Sequence, residues 1–135
     1  MAAATKTKGD IGQVKVMGDL LTRGYKVALP LGEDWRYDLI VDKNNKLLRI
    51  QCKYVESING VIKVRCETHD GRNYYKYKPE DLDYLAVYDK ITDKCYYVGC
   101  SYLGSKGRGA INLRISEARN GQKKKILYAK DFTNF

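Results

Sequence analysis

The sequence predicts a single α/β domain, with a mixed β-sheet and a flanking helix. The chain has 135 residues, the length of one domain, and its hydrophobic content of 44% is ordinary for a folded protein. One segment near the N-terminus repeats its apolar residues at helical spacing, and short β-rich segments follow it along the chain. A helix followed by a run of mostly antiparallel strands indicates helix and sheet packed in layers.

The predicted helix begins near Gly9 or Asp10 and ends before Gly24. Its apolar residues recur at steps of three and four, which indicates one apolar face. These residues are Ile11, Val14, Met17, Leu20 and Leu21. We expect residues 1–8, small and rich in lysine, to form a flexible N-terminal arm, and residues 9–135 to form the single domain.

Two hairpins are predicted in the first half of the chain. Strands over 37–41 and 47–55 flank DKNNK, whose residues tolerate the left-handed backbone of a turn. Asn59-Gly60 is typical of a tight hairpin turn and precedes an alternating strand over 61–67. The polar segment 69–78 is expected to be a loop or a ragged edge. Further strands are predicted at 25–30, 84–88, 95–99 and 110–115.

The charge of the chain suggests a polyanionic partner. Lysine and arginine total 25 against 16 acidic residues, a net charge of +9, and the chain has 12 tyrosines. Basic charge interleaved with aromatic residues favours nucleic acid, although a basic protein without a DNA role has the same composition. No apolar run approaches the roughly 18 residues that span a bilayer, and no basic amphipathic helix or secretory leader is evident. We therefore expect a cytoplasmic protein with no membrane partner.

The cysteine pattern favours free thiols. Cys52, Cys66, Cys95 and Cys100 include no C-x-x-C pair, and His69 is the only histidine. A zinc site needs closer spacing and usually histidine, and a reducing cytosol disfavours disulfides.

The hairpin over 37–54, YDLIVDKNNKLLRIQCKY, carries the candidate catalytic residues. Gln51 and Lys53 are two apart on one strand and share a face, and antiparallel pairing brings Asp38 beside one of them. A carboxylate, a carboxamide and an ammonium suit metal-dependent hydrolysis of a phosphodiester, because Mg²⁺ prefers oxygen ligands and a lysine stabilises charge on the phosphate. A surface salt bridge between Asp38 and Lys53 would give the same pattern.

This hairpin resembles the active site of the PD-(D/E)XK nucleases, in which an aspartate on one strand precedes an acid and a lysine on the next. Four segments are more narrowly similar to the homing endonucleases encoded in group I introns of cyanobacterial tRNA genes. They are KGDIGQVKV at 8–16, LLTRGYKVALPLGEDWRYDLIV at 20–41, LLRIQCKY at 47–54 and YAKDF at 128–132. The resemblance covers nearly the whole chain and implies a restriction-endonuclease-like PD-(D/E)XK fold.

The resemblance also implies roles for individual residues. Asp38 would be the metal-binding carboxylate, and Gln51 would stand at the second ligand position, where most of the superfamily has an acid. The backbone carbonyl of Cys52 would supply another metal ligand, and Lys53 would be the catalytic lysine. The implied cofactor is Mg²⁺ or Mn²⁺. The implied activity is hydrolysis of double-stranded DNA at an intron insertion site, by a homo-oligomer that is a dimer or a tetramer.

The chain departs from this group at Gln13, where the group has a glutamate that faces the metal. Glutamine keeps the shape but not the charge, so Asp38 is the only obvious carboxylate left, and one negative charge makes a weak site for a divalent ion. Three explanations stay open. The chain is an engineered, cleavage-impaired form; or glutamine is native and Asp10 or Glu33 compensates; or Gln13 is a solvated helix residue with no catalytic role.

Basic residues on the second predicted hairpin and in the loops are the candidates for DNA contacts. Lys63 and Arg65 alternate on that hairpin, and a two-stranded ribbon fits the major groove. Phosphate contacts are expected from Arg72, Lys106, Arg108, Arg114 and Lys123. The tyrosines of 74–77 could stack at a groove edge, and each of these residues also suits a solvated basic surface.

Two other functions stay open beside the homing endonuclease. A Holliday junction resolvase-like nuclease shares the implied fold, but Gln51 and the LPLGEDWRYDL segment favour the homing group. A non-catalytic DNA-binding module is favoured by Gln13.

Overall fold

The computed structural model describes residues 4–116 and 126–135. The described elements are α1 (Thr5–Thr22), β1 (Lys26–Ala28), β2 (Leu39–Lys43), β3 (Lys46–Val55), β4 (Val61–Arg65), β5 (Glu67–Asp70), β6 (Asn73–Lys76), β7 (Tyr84–Asp89), β8 (Lys94–Gly99), β9 (Ala110–Arg114) and β10 (Leu127–Tyr128), with 3₁₀ helices at Cys100–Leu103 and Ala129–Phe132. No α-helix of the described ranges is both long and apolar enough to cross a membrane.

A five-stranded mixed sheet in the order β1-β2-β3-β7-β8 forms the centre of the fold. Its neighbouring strands are antiparallel except for β3 and β7, which run parallel. The turn between β2 and β3 has left-handed backbone at Asn44 and Asn45, with φ of 52° and 65°, as its composition predicts. The sheet therefore places β3, the strand of Gln51 and Lys53, at its middle.

Helix α1 packs on one face of this sheet, and its buried row is Gly12, Val16 and Leu20. Gly12 permits a close approach, because an added Cβ would lie 3.1 Å from Tyr54 Cβ and 3.3 Å from Lys53 O. The predicted apolar face was partly wrong, since Val14 and Leu21 are 65% and 55% exposed. Because the helix contacts the sheet through Gly12, its buried face differs from the face that the larger apolar residues predict.

The start of α1 also differs from its prediction. The helix begins at Thr5 rather than near Gly9 or Asp10, so residues 5–8 of the expected arm are helical, while residues 1–3 lie outside the described ranges. Lys8 N donates to Ala4 O at 2.9 Å, and Lys8 Nζ lies 3.2 Å from Glu56 Oε2. The first turn is therefore tied to the chain that follows β3.

A three-stranded sheet, in the order β10-β9-β4, covers the other face of the main sheet. The core between the two sheets contains Ile62, Val64, Leu85, Val87, Ile111 and Leu113. All four cysteines are free thiols, and burial raises the pKa of Cys66 to about 11.

Two predictions about the middle of the chain were wrong. Asn59 and Gly60 do form a turn, with φ of 52° and 75°, but β4 then pairs with β9 because β7 occupies the edge of β3. The segment expected to be a loop forms most of the hairpin β5–β6, which pairs Glu67 with Lys76 through Asp70 with Asn73. Within β6 Tyr75 is half-buried and Tyr74 is 68% exposed, so little apolar alternation marks this strand in the sequence.

Candidate active site

The start of strand β2 fixes the preceding residue, Asp38, against β3. Leu39 pairs with Ile50, and Asp38 N donates to Ile50 O at 2.8 Å, so Asp38 lies beside Gln51 as the hairpin predicts. The Asp38 carboxylate in turn accepts the backbone N–H of Cys52, at 2.8 Å from Oδ2. Both hydrogen bonds come from the backbone, so the position of the carboxylate follows from the strand register.

Lys53 lies close enough to Asp38 for each to influence the pKa of the other. Burial raises the pKa of Asp38, while the Cys52 N–H and the Lys53 ammonium oppose that rise. Burial likewise lowers the pKa of Lys53, and the Asp38 carboxylate opposes that fall. Asp38 and Lys53 are therefore half-buried groups of opposite charge near each other, as the alternation along β3 predicts, although they do not form a salt bridge.

A cleft of about 310 Å³ lies beside Asp38. Its lining brings together Gln13 from α1, Asp38, and Glu33, Trp35 and Tyr37 from the segment before β2. Since Gly12 holds the helix against β3, the neighbouring Gln13 reaches this cleft. The helix thus places Gln13 in the same cleft as Asp38.

Of the two acids that were candidates to compensate for Gln13, only Glu33 lines this cleft. Asp10 lines a different groove on α1, with Thr7 and Val14. Gln51 is half-buried on the same β3 face as Lys53 and pairs with Leu85, and it is not part of the cleft lining.

Two neighbours of this site were missed by sequence reasoning. Tyr77 is 4% exposed, and Lys53 Nζ lies 5.2 Å from the centroid of its ring. Arg36, two residues before Asp38, lies over Tyr75, with Cζ 3.5 Å from that ring centroid. Both contacts depend on the hairpin β5–β6, whose position the sequence did not indicate.

A ribbon of β4 and β9 carries several of the predicted DNA-contacting residues. Lys63 pairs with Asn112, and Arg65 with Ala110, so these residues share one face with Arg114, which pairs with Val61. Lys63, Arg65 and Asn112 are exposed. The ribbon is therefore basic on its outer face, although its partner strand is β9 and not the one predicted.

The remaining basic candidates lie in loops and turns. Arg72 is exposed in the turn of β5–β6, and Lys106 is exposed in the loop after the first 3₁₀ helix. Arg108 donates to the carbonyls of Ala110 and Tyr102, at 3.0 and 3.4 Å, so part of its guanidinium is engaged within the chain. Lys123 lies outside the described residues.

The donor set near Asp38 suits a hard divalent ion only weakly. Across residues 4–116 and 126–135, no group of three or more His, Cys, Asp or Glu side chains could hold a metal. Asp38 brings one carboxylate, and the glutamines bring neutral amide oxygens. Oxygen donors fit Mg²⁺ or Mn²⁺, and the shortage of negative charge predicts low affinity.

Comparisons with known proteins identify the family and the fold of the chain. A family model described as PD-(D/E)XK endonuclease matches residues 3–135. Among solved structures, the chain is similar to the bacterial homing endonuclease I-Ssp6803I, with a TM-score of 0.72 and 24% sequence identity over 96% of this chain and 88% of that chain. At this identity the likeness shows a common fold. No curated protein sequence matches the chain.

Proposed function

The chain belongs to the PD-(D/E)XK endonuclease family and is a nuclease with the fold its sequence predicts, and from this premise we propose that it is a site-specific homing endonuclease. In this proposal it makes double-strand breaks in DNA at an intron insertion site. The observation that carries the proposal is the Asp38 carboxylate, held by the Cys52 N–H beside Lys53. In this proposal the acid and the ammonium act together on one DNA phosphate.

The proposed cofactor is Mg²⁺ or Mn²⁺, held by Asp38, Gln51 and the backbone carbonyl of Cys52. When bound, such an ion polarises a phosphate and lowers the pKa of a coordinated water. Asp38 supplies the negative charge of the site, and its hydrogen bond to Cys52 favours the ionised form that a metal needs.

Lys53 contributes positive charge where negative charge develops on the phosphate. A half-buried ammonium acts more strongly than a solvated one, because water screens it less. The proximity of Asp38 favours its charged form against the effect of burial. In this proposal Lys53 stabilises the transition state and orients the attacking water.

Gln13 limits the charge of this site, and two explanations make different predictions. If glutamine is native, we propose that Glu33 compensates, because it lines the cleft with Gln13 and Asp38. If glutamine replaces a native glutamate, the chain is a cleavage-impaired form that still binds DNA. The third possibility, a solvated residue with no role, is less consistent with a half-buried Gln13 in the cleft.

We propose that DNA binds along the outer face of β4–β9. Arg65 influences the pKa of Lys53, so one end of this basic face lies near the catalytic pair. A two-stranded ribbon fits the major groove, where arginine reads guanine. Arg72, Lys106, Arg114 and Lys123 are proposed phosphate contacts. A homo-oligomer, either a dimer or a tetramer, would extend the contacts along a longer DNA site. We propose that the protein acts in the cytoplasm.

The deciding experiment compares this chain with its Gln13→Glu variant. Both are incubated with Mg²⁺ and an intronless tRNA-gene DNA at one salt concentration, and binding and cutting are scored together. Cutting only by the Gln13→Glu variant, with binding by both, supports the cleavage-impaired homing endonuclease; cutting by both supports compensation by Glu33. Binding without cutting by either form supports the DNA-binding module.

A second substrate separates the two nuclease functions. A four-way DNA junction without the tRNA-gene sequence is supplied in the same assay, with a linear duplex of equal length as control. Preference for the junction would replace the homing proposal by the resolvase-like one. Light scattering of the protein with and without DNA then tests the expected dimer or tetramer.

A further inference from the structure

Four side chains form a continuous series from the exposed segment before β2 to the catalytic lysine. Arg36 Cζ lies 3.5 Å from the ring centroid of Tyr75, the rings of Tyr75 and Tyr77 are 6.3 Å apart at 77°, and Lys53 Nζ lies 5.2 Å from the Tyr77 centroid. We call Arg36, Tyr75, Tyr77 and Lys53 the aromatic ladder. Each step lies within the range of cation–π or edge-to-face attraction.

The two rings of the ladder are held by their surroundings. Tyr77 is 4% exposed, and its backbone N–H donates to Cys66 O at 2.9 Å. The Tyr75 hydroxyl donates to Asp81 Oδ2 at 2.8 Å. Both rings therefore have fixed positions, set by the closure of the hairpin β5–β6.

A fixed ring matters to Lys53 because a lysine side chain is flexible. Its four-carbon stem has many rotamers, and an unconstrained ammonium explores several positions. Here the negative face of Tyr77 attracts the ammonium on one side, and the Asp38 carboxylate attracts it on another. Catalysis depends on such placement, because a misplacement of about 1 Å can reduce a rate roughly 100-fold.

We propose that Tyr77 is a positioning residue for Lys53, and that Arg36 and Tyr75 keep Tyr77 in place by seating the hairpin β5–β6 against the segment before Asp38. This inference rests on the proposed function, since it is the DNA phosphate that Lys53 would meet. The ladder assigns a role to a hairpin that belongs to neither main sheet.

The first test compares Tyr77→Leu with Tyr77→Phe. Leucine removes the ring, whereas phenylalanine keeps it and removes only the hydroxyl. We expect Tyr77→Leu to lower the single-turnover cleavage rate roughly 10- to 100-fold with the Kd for DNA unchanged, and Tyr77→Phe to retain most of the rate. All variants are made in this chain and in its Gln13→Glu form, and thermal unfolding confirms that each is folded.

A double-mutant cycle separates positioning from a general structural role. In a Lys53→Ala background, Tyr77→Leu should cause no further loss of residual cleavage, because the group that it positions is absent. Equal losses in both backgrounds would overturn the proposal. Arg36→Ala keeps the test valid if Tyr77→Leu fails to fold, because Arg36 is exposed; we expect a smaller loss that is likewise absent in the Lys53→Ala background.

A third readout does not depend on cleavage. Limiting acetic anhydride acylates accessible lysines, and peptide mass spectrometry measures Lys53 relative to exposed Lys63. Acylation of Lys53 should increase in Tyr77→Leu and stay low in Tyr77→Phe. If neither the chain nor its Gln13→Glu form cuts DNA, the proposed function fails and the positioning role with it. If they cut, and Tyr77→Leu cuts as fast with unchanged acylation, only the ladder fails.

Discussion

Cys52 donates its backbone N–H to Asp38 Oδ2 at 2.8 Å, which ties the carboxylate that precedes β2 to the strand that carries Lys53. A backbone donor on a central strand has little freedom, so the carboxylate is held without help from a flexible side chain. The same N–H favours the ionised carboxylate against the burial that raises its pKa. This one hydrogen bond therefore contributes both to the placement of Asp38 and to its charge.

Replacing either member of the proposed catalytic pair should remove nearly all cutting and spare DNA binding. Asp38→Asn keeps the size and an oxygen acceptor for the Cys52 N–H but removes the charge, and Lys53→Ala removes the ammonium. We expect a loss of at least about 100-fold in cleavage rate for each, as for removal of one transition-state donor. Cleavage and Kd are measured in the Gln13→Glu form, where the starting rate is expected to be higher.

Asp42→Asn is the matched control for Asp38→Asn. Asp42 lies on β2, the strand that Asp38 precedes, but is exposed at the far end of the hairpin, where it pairs with Leu47. It should cut like the parent. An Asp38→Asn or Lys53→Ala variant that cuts normally would refute the assignment of the site.

Much of the site could be predicted because it is local in sequence. DKNNK indicates a turn, and the alternation on either side sets the register that brings Asp38 beside Gln51. The contact of Lys53 with Tyr77 joins residues on strands and loops far apart along the chain, and no periodicity reports it. The prediction of the buried face of α1 was partly wrong for a similar reason. Gly12 has no side chain, so the spacing of hydrophobic residues cannot identify it as the point of contact with β3.

Replacement by alanine should destabilise the protein at Gly12 and stabilise it at Gly18. Both lie within α1, where alanine is favoured over glycine by about 0.5–1 kcal/mol. An added Cβ at Gly18 meets nothing within 4 Å, whereas at Gly12 it lies 3.1–3.3 Å from Tyr54 and Lys53 atoms. Crowding of this kind costs about 1–3 kcal/mol, so Gly12→Ala should unfold at lower denaturant than Gly18→Ala. Equal stability of the two variants would show that α1 does not approach β3 so closely.

The buried carboxylate should also give stability a pH dependence. The folded protein raises the pKa of Asp38 above its ordinary value of 3.8, so the folded state holds this proton more tightly than the unfolded chain. The resulting stabilisation is fully present below the unfolded pKa and is lost as the pH rises through the folded pKa. Metal-free parent protein should therefore lose stability relative to Asp38→Asn over this window, by at most about 1.4 kcal/mol per pH unit. Urea unfolding at several pH values measures the difference, and a constant difference would contradict the burial of a titrating Asp38.

Neutralising the outer face of β4 should weaken DNA binding in a salt-dependent way. Each phosphate contact releases about 0.9 counterion, so Lys63→Ala or Arg65→Ala should reduce the slope of log K against log salt by about one if the residue contacts phosphate. If Arg65 instead reads a base, affinity should fall mainly for the cognate site, with little change in slope. Lys94→Ala is the control, because it also removes one positive charge but at a different surface. Lys94 begins β8 and lines a cavity with Lys15 and Asp19 of α1, away from the outer face of β4. This variant should bind like the parent at every salt concentration, and an equal effect of Lys94→Ala would place the DNA elsewhere on the protein.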